Sequence, residues 1–332
     1  MMMQNGLIGI GAGIATALLF ASPASGSPFA LLLLILAPLP ILIAAIGWSH
    51  WAGLFAVAVA VASLTLVFGP VAFQSNVVPF ILGVGAPAWW LGYLALLARS
   101  NPMGGGLEWY PAGSLVFWAA ILGALEMLAV IPFYGWDQET FQATLRSMLE
   151  AALRISSDVA PSGGPAIPGA SDSTRFVDFL VIVMPPAAAA LSTVTNMLNL
   201  WLAGRVLNIS GRLRRPWPDL PAMRFPPIAP ALLIATLLGS FASGMFGIAA
   251  GIGAAALLIA HTALGLAVVH MITRGMPGRS GVLAAIYATL PIFGLLRVMH
   301  WPVIALAVLA LIDLIFDLRG RVASGRPPAV RE

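Results

Sequence analysis

The sequence predicts an all-α fold, a polytopic transmembrane helical bundle of about ten spans with both termini in the cytoplasm. Three observations carry that expectation. Hydrophobic residues fill 60% of the 332 positions and charged residues only 8%, whereas an ordinary soluble domain is roughly a quarter charged. Apolar stretches of roughly 20 residues, the length that crosses a bilayer, recur between breaks made of Pro, Gly and charged clusters. The arginines gather in alternate breaks, as short cytoplasmic loops do.

In chain order the spans run 6–22, 29–47, 51–69, 77–98, 111–133, 176–203, 229–247, 249–272, 280–297 and 302–318. Leu7 to Phe20, followed by Ala21-Ser22-Pro23-Ala24, has the length of a signal-peptide core. No Arg precedes it and its glycine spacing resembles a packing face, so it reads as the first span. The last two spans are short and bordered by Pro291 and Pro302. They form either two tilted spans or one span with a re-entrant hairpin, which leaves nine as the alternative count.

With the N-terminus inside, Arg99, then Arg205, Arg212, Arg214, Arg215 and Arg224, then Arg274 and Arg279, then Arg319, Arg321, Arg326 and Arg331 all fall on the cytoplasmic side. Arg146, Arg154 and Arg175 lie in one long outer loop, and Arg297 at a span end. That loop, Tyr134 to Arg175, holds Phe141, Leu145, Met148, Ala152 and Ile155 at helical spacing after an N-cap at Asp137. A surface or interfacial helix is the plain reading; a lid or partner-docking helix is the functional one. Residues 161–172 read as a flexible connector.

The organisation that follows is a six-span N-terminal bundle over 1–203, with the outer loop 134–175 inside it. An Arg- and Pro-rich cytoplasmic linker follows at 204–228, then a four-span unit at 229–318 and a basic cytoplasmic tail at 319–332.

Composition excludes several chemistries. The 16 cations are all Arg, so a Walker phosphate loop, a Schiff-base lysine and a Ser-Lys dyad are ruled out. With no Cys, disulfides, thiolate nucleophiles and Cys-bound metals go too. Arginines lying between apolar spans answer the positive-inside rule, and nucleic acid is not an expected partner. Neither HExxH nor GxSxG occurs. His261 and His270 are nine residues apart, about 900° of helix rotation, and face opposite sides. Gly251, Gly253 and Ala256 fit GxGxxA, but no strand precedes them, so the match is chance. No enzyme activity, cofactor or metal is expected.

Small residues four apart let two helix backbones approach closely in lipid. Gly9, Gly13 and Ala17 form such a stripe in span one, Gly239, Ser243 and Gly247 in span seven, and Gly247, Gly251 and Ala255 at the start of span eight. Packing within the chain is the plain reading, and a separate membrane partner along span one the functional one. Ionisable groups inside a bilayer are costly and point to function; here they are Glu126, His261 and Asp313. Span six is the most polar, with Ser192, Thr195, Asn196 and Asn199 in two turns after Pro185-Pro186. Either this face hydrogen-bonds neighbouring helices or it walls a polar cavity.

Six stretches carry a resemblance: GAPAWWLGYLALLAR (85–99), EWYPAG (108–113), NLWLAGR (199–205), SGRLRRPWPDL (210–220), GLAVVH (265–270) and DLIFDLRGR (313–321). They resemble the bacterial membrane family designated domain of unknown function 2232, the YybS-like proteins included. That family is distantly similar to the S components of energy-coupling-factor vitamin transporters, six-helix proteins whose first helix docks through small residues. The resemblance implies that Gly9, Gly13 and Ala17 are that stripe and the first six spans the module. Four extra spans, the long outer loop and the lack of a vitamin-contact motif depart from it.

The resulting expectation is a transporter-like protein of the bacterial inner membrane. It binds an unknown small molecule through Ser192, Thr195, Asn196, Asn199, Glu126, His261 and Asp313. The alternative is a non-transporting scaffold or assembly factor acting through its Arg-rich and outer loops.

Overall fold

The computed structural model describes residues 2–69, 73–100, 106–159, 173–295 and 301–324. Nearly all of them are helical. In chain order come α1 (Met2–Ala21), α2 (Ala30–Ile35), α3 (Leu39–Gly47), α4 (His50–Phe68), α5 (Val78–Phe80) and α6 (Ala86–Ala95), with π-helical turns at Phe73–Val77 and Ile81–Gly85. Strands β1 (Ala98–Ser100) and β2 (Leu107–Trp109) follow, then α7 (Ala112–Tyr134), α8 (Gln138–Val159) and α9 (Ser173–Ile209). The chain continues as α10 (Ala229–Gly239), α11 (Gly244–Ile272), α12 (Arg279–Leu295), α13 (Trp301–Phe316) and α14 (Leu318–Ser324).

Seven segments among the described residues are long and apolar enough to cross a membrane: Asn5–Ser25, Ala30–Gly47, His50–Phe68, Phe73–Ala95, Ala112–Tyr134, Arg175–Ile209 and Gly244–Ile272. The expected seventh span, 229–247, is broken. Its helix stops at Gly239 after 11 residues, about 16 Å at 1.5 Å per residue and half of a ~30 Å hydrocarbon core. A turn then leads through Gly244, at φ 77°, into α11. Helices α12 and α13 have 17 and 16 residues. Arg297 and the 161–172 connector lie outside the described residues, as do Arg326 and Arg331.

One sheet pair departs from the all-helical expectation. β1 and β2 run antiparallel, with Arg99 opposite Glu108 and their side chains paired at 2.8 Å on the exposed surface.

Two hydrophobic clusters stand out among the described residues. The first gathers Ile41, Leu42, Leu64, Phe80 and Leu91 beneath α1, α3, α4 and α6. Here α1 lies on α4: a Cβ at Gly9 or Gly13 would strike the carbonyl of Ala52 or Ala56 and the side chain of Phe55 or Val59. The glycine stripe is therefore filled by α4, and Leu7, Ile10, Ile14 and Leu18 point outward, where lipid suits them. The second core joins Phe117 and Ala120 of α7, Ala189 of α9, Leu233 of α10 and Ile252, Ala256 and Leu257 of α11. Gly239 packs beside Ala250 and Gly253 beside Thr236, while a Cβ at Gly247 would collide with the carbonyl of Ala242.

The linker, residues 204–228, packs against the bundle. Gly113 at the start of α7 lies against the Arg224 backbone, and Phe225 meets Phe117 at 6.2 Å and His261 at 5.2 Å. His261 is eleven residues from the end of α11, about 16 Å along the helix. The half-length of α10 leaves the space that this non-helical backbone enters. Helix α8 begins as expected: the Asp137 carboxylate accepts from the Thr140 N–H at 2.9 Å, which holds its pKa below the ordinary value. Phe141 of α8 packs on Tyr134, and Arg146 pairs with Asp178 of α9.

Candidate functional site

The polar residues expected to bind a ligand fall into three separate clusters. The first begins at Gly123, where α7 and α9 come so close that a Cβ would meet Thr193 and the Ala189 carbonyl. One turn on, that approach brings the buried Glu126 carboxylate to α9, where it accepts from Ser192 Oγ and from Asn196 Nδ2, the latter at 2.8 Å. Asn199 does something different. Leu39 N–H bonds to Leu36 O, so the break between α2 and α3 leaves Ile35 O outside the helical ladder. Asn199 Nδ2 donates to that carbonyl at 2.7 Å and to Thr195 O at 2.8 Å.

The second cluster is built on Asp313. Its carboxylate accepts from the Arg319 Nε and backbone N–H at 2.9 and 3.0 Å, and both side chains are under a tenth exposed. Arg319 Nη1 then donates to Pro221 O and Met223 O at 3.0 and 2.7 Å. This clasp gives a donor to two backbone carbonyls of the linker, which burial would otherwise leave unpaired. Arg319, placed by the sequence in a cytoplasmic tail, is thus a buried structural cation.

His261 stands alone as the third. Its Nδ1 lies 2.8 Å from Leu257 O; a carbonyl only accepts, so Nδ1 carries the proton. Nε2 is buried without a partner among the described residues, edge-on to the Phe225 ring.

A cavity of about 700 Å³ lies elsewhere, against the opposite face of α9. Val194, Met197, Leu198, Trp201 and Gly204 line it, with Leu266 and His270 of α11, Tyr287 of α12, and Arg215, Trp217 and Pro221 of the linker. These α9 positions repeat the spacing of 192, 195, 196 and 199 displaced by two residues, about 200° around the helix. None of Ser192, Thr195, Asn196, Asn199, Glu126, His261 or Asp313 lines this cavity. Val194 and Trp201 are 42% and 46% exposed, so the wall is open on one side.

Three ionisable side chains border the cavity, and each belongs to its linker end. Arg215 donates from Nη2 to Tyr110 O at 3.1 Å, while its Nε is buried without a partner among the described residues. Burial lowers its pKa from the ordinary guanidinium value. His270 Nε2 lies 2.9 Å from the Tyr287 hydroxyl, and His270 Nδ1 faces Arg279 Nη2 at 3.5 Å. The volume suits a small ligand, and the arrangement can hold an apolar body with a polar end. Among the described residues no three His, Asp or Glu side chains gather as a metal site would need.

Sequence reasoning passed over this surface because its residues look like lipid-facing or core positions. A signal was nevertheless present. Five of the six stretches that carry the family resemblance contribute to the lining, through Ala95, Ala112, Trp201, Arg215 and His270 among others, and the sixth supplies Arg319.

The model of one protein family, described as "Predicted membrane protein (DUF2232)", matches residues 14–314. No curated protein and no solved structure matches the chain, so the likeness to S components gains no support there.

Proposed function

We propose, for a chain that belongs to the DUF2232 family of predicted membrane proteins, a transporter-like role in which a small, mostly apolar molecule binds beside α9. One observation carries the reading: a cavity of about 700 Å³ is walled by α7, α9, α11 and the inserted linker. Its size is that of small-molecule sites, and its open side gives a ligand a path from the bilayer. The proposal includes ten spans, with the short α10, α12 and α13 counted, both termini in the cytoplasm, and residence in a bacterial inner membrane.

The scaffold reading draws on a different observation. Ser192 and Asn196 are already paired to Glu126, so the polar face of α9 holds the bundle together. Gly204 separates the two readings, since the nearest atom to a Cβ there is the Trp217 ring at 3.5 Å. A Cβ at Gly204 meets no backbone within 4 Å, so Gly204→Leu places a leucine in the cavity wall, where it takes up part of the space. Mass spectrometry of protein purified in mild detergent should find a small molecule with the native chain and at least tenfold less with Gly204→Leu. Equal recovery from both proteins, or none from either, would favour the scaffold.

Orientation has its own test, which the absence of Cys makes clean. In intact spheroplasts an impermeant thiol reagent should label Ala143→Cys on α8 and spare Ser210→Cys beyond α9. The reverse pattern would overturn the cytoplasmic placement of the linker.

A further inference from the structure

The acids near the linker end of the cavity are already committed. Asp219 pairs with Arg274 at 2.6 Å, Asp317 with Arg224 at 3.0 Å, and Asp313 with Arg319 at 2.8 Å. Arg215, which borders the cavity, has no carboxylate partner among the described residues, and neither has Arg279 behind His270. Both have a buried Nε without an acceptor. A buried cation with no counter-charge is costly; Arg215 on the cavity wall and Arg279 behind the His270–Tyr287 pair put two guanidinium groups without a carboxylate partner among the described residues at this end of the cavity, which makes it electropositive.

The rest of the lining has the opposite character. From Gly204 back to Val194 the wall runs about 15 Å along α9 through Trp201, Leu198 and Met197, faced by Leu266 and Ala263 of α11. It contains no charge. A site with one cationic end and one apolar trough selects a molecule built the same way.

We infer that the ligand is an anionic amphiphile, its carboxylate or phosphate head held by Arg215 with the His270–Tyr287 pair, and its apolar tail laid along α9. The guanidinium fork offers paired donors to either head group. His270 and Tyr287 add hydrogen-bonding capacity beside it. The inference rests on the cavity being a ligand site, as proposed above, and adds which chemistry it takes.

The test is native mass spectrometry in neutral detergent with three probes that share one tail: dodecanoate, dodecyl phosphate and dodecanol. At least one anionic probe should bind the native protein ten times or more tightly than dodecanol. A preference for the phosphate would point to a lipid phosphate as the source, and a preference for the carboxylate to a free fatty acid. In Arg215→Gln the three probes should bind alike, and Arg215→Lys should recover part of the anionic preference because it restores the charge without the fork. Gly204→Leu should weaken all three.

If the native protein takes dodecanol as tightly as both anions, the head-group inference is wrong and the cavity stands as a site for neutral molecules. Anionic preference that survives Arg215→Gln also overturns it, since the charge would then be read elsewhere. If no probe binds and Gly204→Leu changes nothing, the proposed ligand site itself fails.

Discussion

The two faces of α9 carry the same spacing and do opposite things. Ser192, Asn196 and Asn199 turn toward α7 and the α2–α3 break, where Glu126 and the Ile35 carbonyl accept their hydrogen bonds. About 200° away, Val194, Leu198 and Trp201 face open space. Polar groups within a membrane bundle are drawn to one another because no water competes for them, so the residues that look most like a binding site are the first to be used up as internal contacts. Apolar residues have no such partners to find, and the face made of them is the one left beside the cavity.

The Asp313–Arg319 clasp touches both kinds of surface, because it is a polar cluster that holds the linker forming part of the cavity wall. Arg319→Ala leaves Asp313 buried and frees two linker carbonyls, and removing one partner of a buried pair costs about 3–5 kcal/mol. Thermal unfolding in detergent should show a larger loss of stability than either Asn196→Leu or Leu198→Ala produces, together with loss of the retained molecule. An unchanged melting temperature would mean that the linker stays in place without its clasp.

Asn196→Leu sharpens the comparison from the polar side. It deprives the buried Glu126 of one donor, and an unsatisfied buried group costs about 1–3 kcal/mol, against about 0.6 kcal/mol for an average interhelical bond in lipid. Stability should fall within that range while ligand recovery stays near the native level. Recovery lost at unchanged stability would return the site to the polar face.

Hydropathy made the helices legible in the sequence, and arginine placement set an expectation for their orientation. Residues 229–247 show the limit: they carry no charge, yet Gly239 and the turn through Ser240 and Ser243 to Gly244 divide them between two helices, and a hydropathy average does not register two serines and a pair of glycines among strongly apolar neighbours. Burial of Glu126, His261 and Asp313 could be expected from the cost of charge in hydrocarbon. Their partners could not. Glu126 reaches Ser192 only because Gly123 lets α7 approach α9, and Asp313 meets an arginine that sequence position assigns to a tail. The cavity was the least legible feature, since a leucine beside empty space and a leucine beside lipid are written with the same letter.

Leu198→Ala tests that last distinction with the smallest expected effect on stability. Truncating a fully packed leucine costs about 2–5 kcal/mol, because a new cavity opens and the lost contacts are not replaced. Leu198 is 38% exposed and already borders the cavity, so one side of it has few contacts to lose. The change should therefore lie nearer the values of surface substitutions, about 0.5 kcal/mol, while the retained molecule, deprived of part of its trough, should be recovered in smaller amount. A loss of about 2 kcal/mol or more, where the range for a packed leucine begins, would show that Leu198 is buried against protein in the membrane. The open face of α9 would then be closed in solution, and the contrast between its two faces would reduce to two modes of helix packing.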